Sequence, residues 1–198
     1  MKKVIILTTL SLLIFACGGN KTVENQTVNA PNTANTANAT NTATVAKKDS
    51  SNLKAMPSEI MQADMKSPDG KTFKLADTKD KVLLVNMWAT WCMPCVKEMP
   101  EIDKLNSEMG DKVQAISITA VDDDNSEAQI KSFLKSKNFT YQQGIADTKT
   151  WDALAEFSKA PGIPINFILT KDGKIVKTLI GGRKYEEFKS AVEEALQY

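Results

Sequence analysis

The chain contains no histidine. That excludes imidazole acid–base catalysis, a His-activated cysteine nucleophile, and nearly all copper or catalytic zinc sites. It contains a single arginine, Arg183, so no guanidinium cluster can grip phosphate. Neither sign of charge dominates: 25 Lys and Arg stand against 24 Asp and Glu, and losing residues 1–16 would remove Lys2 and Lys3. Nothing in that balance points to nucleic acid or to an acidic partner. Long apolar runs are also scarce. The run from Val4 to Phe15 is too short for a comfortable membrane span. Cysteine is rare and odd in number, at three. With 198 residues the chain can fill one domain well but not comfortably two. No internal repeat is visible.

What is present begins with an export signal. Met1-Lys2-Lys3 is a positive start, an apolar stretch follows, and Ala16-Cys17 interrupts it. Ile14, Ala16 and Cys17 resemble the bacterial lipoprotein cleavage site. The resemblance implies that residues 1–16 are removed and that Cys17 becomes the lipidated first residue, anchoring the chain to a membrane. An ordinary secretory signal with a chance cysteine is the plainer alternative. Lipidation of Cys17 leaves one cysteine pair, Cys92 and Cys95. In an oxidising exported compartment such a pair needs an electron source or sits oxidised.

Residues 17–52 lack hydrophobic periodicity, and Asn32 to Thr44 reads NTANTANATNTAT. A tract this polar cannot bury enough apolar surface to offset ordering entropy, so disorder is expected. As a tether of about 35 residues it would span roughly 30–35 Å. The globular domain is expected over residues 53–198.

Within it, Ser67-Pro68-Asp69-Gly70 signals a turn between short strands near Ile60–Met65 and Lys71–Leu75. A buried strand is expected over Val82 to Trp88, then a helix carrying Val96, Met99, Ile102, Leu105 and Met109 on one face. Val113 to Val121 reads as a strand, and Ser126-x-x-Gln129 as a capping box opening a helix to about Lys137. A strand over Phe139 to Ile145 and a helix capped by Asp147 follow. Strands Ile165–Thr170 and Lys174–Ile180 meet across the hairpin signal Asp172-Gly173, and Tyr185 to Leu196 is the final helix. Alternating strands and helices with a late hairpin predict an α/β fold, a mixed central sheet with helices on both faces.

Trp91-Cys92-Met93-Pro94-Cys95 lies between the buried strand and its helix. Two cysteines so spaced at a helix N-terminus can form a disulfide reversibly. Exposed N–H groups and the helix dipole lower the pKa of the first thiol. The thiolate is the attacking species, so Cys92 is expected to attack and Cys95 to resolve the mixed disulfide.

Val85-Asn86-Met87-Trp88-Ala89-Thr90-Trp91-Cys92-Met93-Pro94-Cys95, with Glu98-Met99-Pro100 and Gly162-Ile163-Pro164 further on, resembles the signature of the TlpA/ResA-like thiol–disulfide oxidoreductases of the thioredoxin superfamily. The resemblance covers nearly the whole domain. It implies a thioredoxin-like fold with an N-terminal β-hairpin and a central insertion between Asp122 and Ala160. It implies a partly exposed Cys92, a buried Cys95, and a cis Pro164 beside them. The backbone of Ile163 would then pair with an extended substrate. Trp91, Met93 and Pro94 would shape the site. Thioredoxin itself has a buried Asp where Asn86 stands. Asn cannot act as a base, so Glu98 is the candidate proton relay, a surface or helix-capping carboxylate being the plainer alternative. The family also implies exported disulfide substrates, such as apocytochrome c, and re-reduction by a membrane thiol donor of the DsbD/CcdA type. No metal or organic cofactor is implied.

Other classes fit less well. One C-x-x-C without histidine lacks the ligands for structural zinc. The P-x-x-x-T-x-x-C motif of peroxiredoxins would need Pro and Thr where Val85 and Ala89 stand. An oxidant or isomerase of the DsbA type remains open, as does a non-enzymatic peptide-binding assembly factor. An oxidant's potential lies near about −120 mV and a thioredoxin-type reductant's near about −270 mV.

Overall fold

The strand Val82–Met87 (β3) is buried along its whole length. Its sequence, VLLVNM, suits a central strand covered on both faces. In the computed structural model, which describes residues 47–198, β3 pairs in parallel with Val113–Ala120 (β4) and antiparallel with Ile165–Leu169 (β6). The short strands Met65–Lys66 (β1) and Thr72–Phe73 (β2), with Gln142–Ala146 (β5) and Ile175–Ile180 (β7), complete a mixed sheet ordered β2-β1-β5-β4-β3-β6-β7. β5 runs parallel to β4, while β1, β2 and β7 are antiparallel to their neighbours.

Side-chain alternation sends Leu83, Val85 and Met87 to one face and Val82 and Leu84 to the other. The first face packs against helices Ser58–Met61 (α1) and Thr148–Ser158 (α4) through Ile60 and Leu154. The second packs against Met93–Met109 (α2) and Tyr185–Ala195 (α5) through Ile102, Leu105, Phe188 and Val192. Helix Glu127–Lys137 (α3) closes a third cluster at the end of β3, with Ile130 and Leu134 around Trp88, Cys92, Cys95 and Met99. The α/β thioredoxin-like architecture is as expected, hairpin included.

Local signals act where their chemistry demands. Ser126 and Gln129 exchange hydrogen bonds as a capping box at the head of α3, and the Asp147 carboxylate accepts the Thr150 N–H at 2.7 Å. Asn138 ends α3 in the left-handed region, at φ 52°. Gly173, at φ 78°, turns the β6–β7 hairpin.

The expected strand near Ile60–Met65 is a correction. Residues Ser58–Met61 are helical, entered through Pro57 at φ −53°, and only Met65–Lys66 is strand. One short helical turn buries Ile60 in the core without offering the sheet another edge. The expected strand start at Phe139 moves to Gln142, because the left-handed Asn138 is followed by a connecting stretch. The boundary after residue 52 also moves. The Lys48 N–H donates to Gln197 O at 2.6 Å, and the Lys174 ammonium donates to Ser50 O at 3.2 Å. The ordered body therefore includes residues 48–52. The expected signal segment, the expected lipidation site Cys17 and the Asn/Thr/Ala tract up to residue 46 lie outside the described residues. Among the described residues no helix is long and apolar enough to cross a membrane.

Candidate active site

β3 ends at Met87 and the chain turns once before entering α2. The Cys92 N–H closes that turn on Ala89 O at 3.1 Å. Cys92 is the N-cap of α2, a position where a side chain ordinarily satisfies a free helix N–H. Here the cap is sulfur: Cys92 Sγ accepts the Cys95 N–H at 3.3 Å. Pro94 sits in the first turn, where its missing N–H costs nothing. Cys92 and Cys95 are joined as a disulfide, with Cα atoms 5.3 Å apart. When the bond opens, the same N–H and the helix dipole face a Cys92 thiolate, which lowers its pKa.

The Ile163-Pro164 bond is cis, as the resemblance implied. Ile163 packs against the cluster holding both cysteines, and Pro164 O accepts the Gly181 N–H at 2.9 Å. The next residue, Gly182, lies against the motif: a Cβ there would stand 3.6 Å from Pro94 O. The β6 start and the β7–α5 loop thus border the disulfide. Pro100 lies inside a continuous α2 and is exposed.

Exposure differs from expectation at Cys92, which is only 4% exposed. Its sulfur is drawn inward by the disulfide and by the Cys95 N–H. The exposed groups are its neighbours Trp91 and Met93, at 54% and 59%. They flank Cys92 in the chain as exposed apolar side chains.

Glu98 is a second correction, to the plainer reading of it as a surface or capping carboxylate. It is 1% exposed and follows Cys95 by three residues on the same helix face. Oε1 accepts from Asn86 Nδ2 at 2.8 Å and from Asn166 Nδ2 at 3.2 Å. Oε2 accepts from the Arg183 N–H at 3.0 Å. Burial pushes the Glu98 pKa up to about 7; the amide donors and the Arg183 charge only partly oppose it. A carboxyl poised there can hold or release a proton near neutral pH.

The donors form a row the sequence did not reveal. Asn86 on β3 lies in register with Ser117 on β4 and with Asn166 on β6. The Ser117 hydroxyl donates to Asn86 Oδ1 at 2.7 Å, which turns the Asn86 amide N–H groups toward Glu98 and Asn166 Oδ1. Tyr141 Oη lies 3.1 Å from Ser117 Oγ, and burial holds its pKa above the ordinary phenol range. The available signal was a polar residue inside each apolar strand, VLLVNM and INFIL. Partnership across three strands could not be read from it.

A helix-capping C-x-x-C, a bordering cis-proline and a buried carboxyl on a mixed thioredoxin-like sheet define a class, the thiol–disulfide oxidoreductases. A protein-family profile described as Redoxin matches residues 27–196, and the chain belongs to that family. Within it the chain is TlpA/ResA-like. It is 32% identical over 126 residues to "Thiol-disulfide oxidoreductase ResA" of Bacillus cereus, covering 64% of this chain and 70% of the relative. It is 28% identical over 131 residues to "Sporulation thiol-disulfide oxidoreductase A" of Bacillus subtilis (strain 168), covering 66% and 77%. Among solved structures, the pneumococcal exposed lipoprotein thioredoxin Etrx1 of Streptococcus pneumoniae strain TIGR4 superposes with a TM-score of 0.57 at 26% identity, over 66% of this chain and 97% of that one. A thioredoxin-family thiol:disulfide interchange protein of Chlorobium tepidum TLS shares the fold, with a TM-score of 0.63 at 24% identity over 73% and 97%.

Proposed function

We propose that this protein reduces disulfides in other exported proteins from a membrane-tethered position outside the cytoplasm. The observation that carries the chemistry is the sulfur N-cap: Cys92 Sγ facing the Cys95 N–H, with buried Glu98 one helical turn beyond. In the reduced protein the Cys92 thiolate attacks one sulfur of a substrate disulfide, forming a mixed disulfide and expelling one substrate thiolate. Cys95 then gives up its proton and attacks Cys92 Sγ, which releases the second substrate thiolate. Two electrons pass to the substrate and the Cys92–Cys95 disulfide re-forms. Glu98 receives the Cys95 proton, because Asn86 has no basic atom for it. Trp91, Met93 and Pro94 frame the substrate, and Ile163, preceding Pro164, offers its backbone to an extended segment. A membrane dithiol donor of the DsbD/CcdA type restores the pair, and Cys17 carries the lipid. The relatives' printed names support thiol–disulfide exchange, and the name of the pneumococcal lipoprotein thioredoxin supports an exposed, anchored setting. Apocytochrome c is the substrate class this reading favours.

A glutathione redox titration of residues 18–198, followed by tryptophan fluorescence and thiol alkylation, tests the direction of transfer. The expected midpoint lies well below about −200 mV. A midpoint near about −120 mV makes the protein an oxidant and removes the cytochrome reading.

A further inference from the structure

The parallel pairing of β3 and β4 does not end as a ladder should. The Trp88 N–H donates to Ile118 O at 3.0 Å. In a parallel ladder the next donor on that strand, the Thr90 N–H, would bond Ala120 O, two residues further along its partner. It does not. The Thr90 N–H donates to Asn125 Oδ1 at 3.0 Å, and Ala120 O accepts from Asn125 Nδ2 at 2.6 Å. The carboxamide of Asn125 is inserted between the two strand ends, taking one backbone bond and returning another. It also accepts the Thr90 hydroxyl at 2.7 Å and donates to Thr119 Oγ1 at 2.8 Å. Asn125 is fully buried, and these bonds use its amide on both sides.

The insertion has a geometric result. The strand ends part by the width of one amide, yet both remain tied. Thr90 is the second residue of the turn that the Cys92 N–H closes on Ala89 O. That turn exposes Trp91 and delivers Cys92 to the head of α2, where Sγ meets the Cys95 N–H. Without the carboxamide, the Thr90 N–H and Ala120 O would each lose a buried partner, and the turn would lose its only tie to β4 at Thr90 among the described residues.

We propose that Asn125 is a positioning residue for Cys92: its side-chain amide extends the β3–β4 ladder by one unit and so holds the Ala89–Cys92 turn that presents the attacking sulfur. The inference rests on Cys92 being the attacking thiol. Nothing in the local sequence DDDNSEAQ distinguishes this residue from a turn or pre-cap asparagine. Its function depends on where β4 ends relative to β3.

The test is the pH profile of iodoacetamide alkylation in the reduced protein, with the modified cysteine identified by peptide mass. Wild type decides the premise: alkylation at Cys92 first upholds the order of attack, and at Cys95 first removes it. Asn125→Ala decides the inference, with Ser126→Ala as a control. The control deletes the neighbouring cap of α3 and lowers stability without touching Thr90. Asn125→Ala is expected to raise the alkylation midpoint by about one pH unit, leaving about tenfold less thiolate at pH values well below the midpoint. Ser126→Ala is expected to leave the midpoint unchanged. If Asn125→Ala does not fold, Thr90→Val, which removes only the hydroxyl bond, carries the test with a smaller shift in the same direction. A folded Asn125→Ala that keeps the wild-type midpoint overturns the proposal. So do equal shifts in Asn125→Ala and Ser126→Ala, or an unshifted Thr90→Val when Asn125→Ala is unfolded.

Discussion

The two faces of the central sheet use the same strands for opposite ends. Toward α1 and α4, the residues Leu83, Val85, Met87, Ile116, Ile118, Phe167 and Leu169 make an apolar layer. Toward α2, the alternate positions begin apolar with Val82, Leu84 and Ala115 and then change at Asn86, Ser117 and Asn166. That polar row lies beneath Glu98, at the end of the strands that leads to the cysteines. A buried carboxyl with its amide donors holds the fold together less well than the leucines it displaces. The comparison separates a face selected for packing from one that gives up packing to keep a titratable group dry beside a disulfide.

The largest effect expected on this contrast is chemical. Cys92→Ser should abolish disulfide turnover while unfolding thermally close to the reduced wild type, and Cys95→Ser should trap mixed disulfides on Cys92, visible on non-reducing gels. A Cys95→Ser protein that traps nothing in cells would count against the order of attack. Next comes the apolar face. Phe167→Ala opens a cavity beside Phe157 and should lose about 3–5 kcal/mol in denaturant unfolding. The relative reactivity of the two thiols should not change.

The polar face should instead reveal itself through pH. Glu98 is raised in the folded state, to about 7 from 4.5. A group with a raised folded pKa adds stability that is complete below its unfolded value and is lost as pH rises through the folded value. The oxidised protein should therefore lose on the order of 3 kcal/mol between about pH 4.5 and pH 8.5 from this group. Glu98→Gln should flatten that dependence and slow turnover by about a hundredfold or more at neutral pH. Equal slopes in wild type and Glu98→Gln would mean that the carboxyl is not dry. Exposed carboxylates such as Asp69, lowered to about 2 by bonds from Ser67 and Lys71, titrate at the acid end in both proteins and cancel in the difference. The smallest effect is at the far end of the row. Ser117→Ala frees Asn86 Oδ1 and should cost about 1–2 kcal/mol. It should also move the pH dependence attributed to Glu98, which an equally costly change among the apolar residues would not do.

Much of this molecule was legible residue by residue. The run VLLVNM had to be a central strand, Ser126 and Asp147 had to cap helices, and Asp172-Gly173 had to turn a hairpin. Cys92 and Cys95 at a helix start already defined the reaction. α1 was missed because its one turn is too short to show a helical period, and Ile60 reads as well in a strand. Glu98 resembled many helix carboxylates, since nothing within a turn of it shows that α5's loop and β6 close over it.

The division follows the range of the forces. Caps, turns, strand alternation and a helix-capping thiol act within about four residues, so the order of amino acids alone determined them, and with them the class of chemistry. The burial of Glu98, the alignment of Asn86 with Ser117 and Asn166, and the insertion of Asn125 between β3 and β4 join residues up to 85 positions apart. Those contacts exist only once β3 has been placed between β4 and β6 in one register. Only then is a polar side chain in an apolar strand satisfied, and a carboxyl dry enough to titrate near neutrality.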